Sequence, residues 1–248
     1  MAADREPIRI EPCQRRVRTF LGGELVADTH DARLVWEVPY YPAYYLPLAD
    51  VRRELLAPSG RTRTSRSGRG EAQLFDIRAG GRTVEDAAWQ YADSPEGALR
   101  ELVRFDWKAM DRWLEEDEEV IVHPRNPYTR VDVLPSSRRV KVVVNGVEVA
   151  DTRRAMALFE TGRPVRWYVP QEDIRMDLLE PTSSRTGCPY KGWASYWTVS
   201  ARSERHEDVA WAYLDPLPES SRIASLICIW DTDVQTYVDG ELEAAPST

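Results

Sequence analysis

The chain has 248 residues, 42% hydrophobic and 30% charged, enough for one large or two small buried cores and too apolar for a disordered chain. A formal net charge of −8 argues against nucleic acid as a partner unless a local basic patch outweighs it. Three cysteines, Cys13, Cys188 and Cys228, without metal or redox spacing point to a reducing compartment. The opening MAADREPIRIEP has no apolar export core and no run approaches a membrane-spanning length, so a cytoplasmic protein with no membrane partner is expected.

In chain order, RTFL-GG-ELVA reads as a hairpin of two short strands around Gly22-Gly23, and DIRA-GG-RTVEDAAW as a second around Gly80-Gly81. A short helix is predicted at Pro95–Arg104, where proline opens a run of helix formers. FDWKAMDRWLEEDEEV fits helix or strand. Residues 123–138, HPRNPYTRVDVLPSSR, are rich in proline and polar residues and read as a linker or shared strand. KVVV-NG-VEVA then gives the strongest hairpin signal of the chain, SYWTVSARSERHEDVAWAY a further hairpin, and Pro218–Leu226 a second short helix.

The second half repeats the first. Residues 16–59 align without a gap on 139–182, at an offset of 123. The matches include Val26-Ala27-Asp28-Thr29 with Val149-Ala150-Asp151-Thr152, Glu37 with Glu160, Tyr45 with Tyr168, Asp50 with Asp173 and Arg52 with Arg175. At an offset of 122, Glu85-Asp86, Trp89 and Tyr91 match Glu207-Asp208, Trp211 and Tyr213. The chain is therefore read as a tandem duplication: a first unit at 7–122, the linker at 123–138, and a second unit at 139–243. Each unit is expected to be mainly β with a few short helices, a curved antiparallel sheet or open barrel.

The order of motifs resembles the domain-of-unknown-function family 427. The residues that carry it are Glu160-Thr161-Gly162, Trp167-Tyr168, Pro170, Asp173, Arg175, Cys188-Pro189-Tyr190-Lys191-Gly192, Tyr196-Trp197, Glu207-Asp208, Trp211 and Tyr213. The first unit matches except at the Cys-Pro-Tyr-Lys-Gly block. The resemblance implies a compact fold of the Mss4-like β-tent kind. It also brings a nucleotidyl-transfer label, for which the chain offers no Gly-Ser loop followed by an Asp-x-Asp pair.

The segment TGCPYKGWASYW, residues 186–197, concentrates the chemistry. Lys191 favours a Cys188 thiolate, and His206 could complete a nucleophile–base dyad. In the repeat, however, Cys188 falls opposite Arg66 and Lys191 opposite Arg69. The cation is kept and the thiol is not. The leading expectation is a pocket for an anionic or aromatic metabolite, gripped by Lys191 and Arg175 and walled by Tyr168, Tyr190, Tyr196, Trp197 and Trp211, with Arg69 as the first unit's counterpart. An enzyme using Cys188 with Lys191, or Asp208 or Glu207 as base, is the alternative, and a non-catalytic interaction module the third. Salt bridges or turns are the plainer roles for Glu207-Asp208, an ion pair for Asp173 with Arg175, and turn bonds for Asp28 and Asp151. No metal site and no cofactor are implied, and the oligomeric state is left open.

Overall fold

In the computed structural model, residues 8–65 and 68–243 are described. The chain divides into two compact units, at 1–126 and 127–248. Each consists of two open antiparallel sheets, one of seven strands and one of four.

In the second unit the large sheet runs, in spatial order, Val131–Pro135, Met156–Glu160, Arg166–Val169, Ile227–Ile229, Glu204–Tyr213, Gly192–Ala201 and Leu179–Cys188. The small sheet is Val147–Thr152, Val140–Val144, Val234–Val238 and Glu241–Leu242. The first unit has the same order, with Ile10–Pro12, Arg33–Val35, Ala43–Pro47, Leu102–Phe105, Arg82–Gln90, Glu71–Ala79 and Leu56–Thr64 in the large sheet. Strand Val131–Pro135, in the segment read as a linker or shared strand, is an edge strand of the second unit's sheet.

The sheets follow from alternation. Val140, Val142 and Val144 are buried while Lys141 and Val143 between them are less so, the period of a strand with one face turned inward. These valines meet Trp167, Val169, Val199, Ala210, Ala212, Ile227 and Ile229 from the large sheet, and the cluster forms the core between the two sheets. The opposite face of the large sheet carries Val133, Leu158, Tyr168, Ala194, Tyr213 and Cys228, with Ile223 packed on it.

The repeated VADT segment frames both units. Arg139 donates from Nε and Nη2 to both carboxylate oxygens of Asp151, and Arg16 does the same to Asp28, so these aspartates make ion pairs rather than turn bonds. Thr152 Oγ1 donates to Asp173 at 2.6 Å and accepts from the Arg154 amide at 2.9 Å; Thr29 does so with Asp50 and Asp31.

Both helix expectations shorten. Pro218–Ile223 is a 3₁₀ segment with proline in its first turn, but Pro95–Arg104 holds only a 3₁₀ turn at Gly97–Leu99 before strand Leu102–Phe105 begins. The ambiguous tail resolves as strands Arg112–Glu115 and Glu118–Glu119 around Glu116, whose φ is +49°.

Candidate functional site

The sheet face away from the inter-sheet core opens into a cleft of about 420 Å³ in the second unit. Behind it runs a row of residues that sit directly opposite one another on neighbouring strands: Tyr196 and Trp211, Trp211 and Cys228, Cys228 and Tyr168. Tyr168, Tyr196 and Trp211 line the cleft with Tyr213, Trp230 and Leu158. Trp211 Nε1 donates to the Tyr168 hydroxyl at 3.2 Å, and Thr186 Oγ1 bonds the Tyr196 hydroxyl at 2.7 Å. Burial pushes the Tyr168 and Tyr213 phenols well above their ordinary range and holds the fully buried Cys228 thiol up at about 12, so all three are neutral at physiological pH.

Three basic and three acidic side chains share this cleft: Lys191, Arg166 and Arg163 with Glu160, Asp208 and Asp231. Lys191 follows the strand Leu179–Cys188 in a tight turn, and Gly192 closes that turn at φ +102°, a conformation that favours glycine. The turn buries the Lys191 side chain to 9% exposure and sets its Nζ 2.5 Å from Glu160 Oε2. An ammonium has three donors, so this pair leaves two for a ligand. Arg166 lies over the Trp230 ring, 3.9 Å from its centroid, and burial pulls its pKa below the usual guanidinium range.

Asp208 sits in an irregularity of the strand Glu204–Tyr213, where three residues, 207–209, face one on the partner strand, and its φ is +55°. Its carboxylate accepts from Thr182 Oγ1 and Ser184 Oγ, at 2.6 and 2.5 Å. The expected salt bridge or turn bond is thus replaced for Asp208 by bonds to two hydroxyls of the strand Leu179–Cys188, and the same residue lines the cleft.

The first unit repeats the core of this arrangement. Arg69 is 8% exposed, precedes Gly70 at φ +96°, and places Nη2 3.4 Å from Glu37 Oε1. A glutamate–cation pair, a tyrosine and a tryptophan thus recur at matching places in both halves. Residues 9–116 and 132–240 each match the family described as Domain of unknown function (DUF427). The chain is a double member of that family. No curated protein matches it.

Strand geometry within the second DUF427 copy decides which sequence candidates meet and which do not. Tyr168, Lys191, Tyr196, Asp208 and Trp211 converge on the cleft. Trp197 does not: neighbours on a strand point to opposite faces, and Trp197 packs into the inter-sheet core behind Tyr196. Arg175 is also elsewhere. Its amide bonds Val149 O at 2.8 Å, its exposed guanidinium pairs with Asp177, and Asp173 takes Arg154 instead, so the expected Asp173–Arg175 pair is replaced by two others. Tyr190 lies in the turn before Lys191, its carbonyl accepting from Ser220 Oγ at 3.2 Å.

Cys188 is half-buried among the aromatic residues of the cleft face, next to the lining. His206 is not its partner. Cys188 pairs with Gly192 and His206 with Val199, seven residues along the strand, about 23 Å at strand rise. Arg66, aligned with Cys188, lies outside the described residues.

Sequence reasoning missed Glu160 as the acid of the site, together with Arg166, Arg163, Tyr213, Trp230 and Asp231. For Glu160 a signal existed: Glu37/Glu160 and Arg69/Lys191 are a matched acid and a matched base in the same repeat. Arg166 and Trp230 had none, because their contact depends on which strands neighbour one another.

Proposed function

We propose that the second unit is a small-molecule binding domain whose cleft takes an anionic metabolite with a planar ring, in a protein of the cytoplasm. The observation that carries this reading is one open cleft in which a buried ammonium and a partly buried guanidinium stand beside Tyr168, Tyr196 and Trp211. The two unused donors of Lys191 and the fork of Arg166 suit a carboxylate or phosphate, and the rings suit the flat part. The acidic groups Asp208 and Asp231 suit hydroxyl or amino substituents on the same ligand. Glu160 holds the ammonium in place rather than competing for it.

The test is thermal unfolding and calorimetric titration with benzoate and with 4-hydroxybenzoate as probes. Stabilisation of the parent by at least one probe is expected, with loss of roughly tenfold or more in affinity for Lys191→Ala. Cys188→Ser is expected to bind as the parent does. Equal binding by Lys191→Ala would defeat the proposal, and loss in Cys188→Ser alone would move the weight to a cysteine-based reaction.

A further inference from the structure

The first unit differs from the second in one respect that bears on a ligand: its polar network is incomplete. In the second unit the tryptophan of the row, Trp211, has an acceptor in Tyr168, and Lys191 has one in Glu160. In the first unit the Tyr45 hydroxyl, Arg69 and Arg104 all converge on the single carboxylate of Glu37. That leaves Nε and Nη1 of Arg69 buried with no acceptor among the described residues. Buried donors without acceptors are costly, and those of a guanidinium most of all.

Arg104 replaces a thiol. It stands opposite Trp89 in the register, as Cys228 stands opposite Trp211. The exchange adds a positive charge to the middle of the row. Arg63 adds another from the edge strand, its guanidinium 4.2 Å from the Trp89 ring centroid while that of Arg104 lies at 4.8 Å. Three guanidiniums therefore gather around Trp89 and Glu37, of which Glu37 takes Arg69 and Arg104, while Asp106 bears on Arg104 alone. With two cations over Trp89, the indole face that would stack a ring is already engaged. What the site lacks is an acceptor-only group carrying several oxygens.

We propose that the first unit carries its own oxyanion site, in which Arg63, Arg69 and Arg104 take up a phosphate group, free or as a monoester. It is independent of the ligand proposed for the second unit. Its oxygens would fill the open valences of Arg69 and neutralise the surplus charge, and guanidinium matches them bidentately.

Calorimetric titration of the full chain with inorganic phosphate, and separately with glycerol 3-phosphate, tests this. Expected is one phosphate per chain with Kd of about 1 mM or tighter. Arg69→Gln is expected to weaken binding roughly tenfold or more, Arg63→Gln severalfold, and Lys191→Ala not at all. Arg63 is exposed, so Arg63→Gln decides the matter if Arg69→Gln does not fold. Tighter binding of the ester identifies a monoester ligand, and equal binding identifies the free ion. The proposal is overturned if the parent binds neither probe, if Arg63→Gln binds as the parent does, or if Lys191→Ala abolishes binding and so assigns it to the second unit.

Discussion

The two halves of this chain keep one scaffold and diverge in one row of side chains. Strand order, the arginine–aspartate pair of the VADT segment, the threonine bond to the following aspartate and the glutamate–cation pair are common to both. Across the middle of the large sheet, Leu74, Trp89 and Arg104 of the first unit replace Tyr196, Trp211 and Cys228 of the second. The difference teaches that duplication preserved what holds the turn and its buried cation, while the charge around that cation was free to change. In the first unit two guanidiniums share one carboxylate and a third lies over the same tryptophan, Trp89. In the second, three basic and three acidic groups share a cleft.

The largest test of this contrast removes the central acid from each half. Glu37→Ala strands two guanidiniums and a phenol, and should cost about 4 kcal/mol in urea unfolding. Glu160→Ala strands one ammonium and should cost less, about 3 kcal/mol. Equal losses would mean that the two networks are energetically the same.

A smaller maximum loss, though a sharper contrast between the halves, is expected at the hairpin turn of each large sheet. Gly80 sits at φ +53° with its Cα against the backbone of Gly22, and a Cβ there would lie 2.1 Å from Gly22 O. Gly80→Ala should destabilise the first unit by about 3 kcal/mol. At the corresponding turn of the second unit, Arg202→Ala should stay within about 0.5 kcal/mol, because a side chain is already accommodated there. A mild Gly80→Ala would remove the close approach of the two turns from the account.

The smallest contrast is expected on acidification, where the halves should behave alike. Asp28 and Asp151 are held below the usual carboxylate range first by the hydrogen bonds from Arg16 and Arg139, and Asp173 by those from Arg154 and Thr152. Groups whose folded pKa is depressed contribute stability that is full above the unfolded value and lost as pH falls through the folded one. The melting temperature should therefore decline below about pH 4, and Asp28→Asn and Asp151→Asn should each flatten that decline similarly. A change confined to one variant would separate the two frames.

Much of the fold was legible because the chain is written twice. Asn145-Gly146, Gly22-Gly23 and Gly80-Gly81 marked hairpins that exist, and matched residues gave two domains of one kind. Helix signals at Pro95–Arg104 gave way to a strand because Leu102, Val103 and Phe105 are buried in the sheet. Within the site, the retained cation pointed to Lys191 and Arg69, and aromatic density to Tyr168, Tyr196 and Trp211. Trp197 was misplaced by ignoring the alternation that sends it behind Tyr196. Arg175 was misplaced because a 3₁₀ turn follows it and its side chain turns to Asp177. Arg104 replacing Cys228 could be seen only once the strands were in register.

The most direct measurement of the central claim is the electron density in the second unit's cleft, in crystals of protein purified straight from its own cells. The account predicts density for a small molecule touching Lys191 Nζ or the Arg166 guanidinium and lying against Trp211 and Tyr168, absent from Lys191→Ala crystals prepared in the same way. A cleft holding only ordered water in the parent, or the same density persisting in Lys191→Ala, would contradict it.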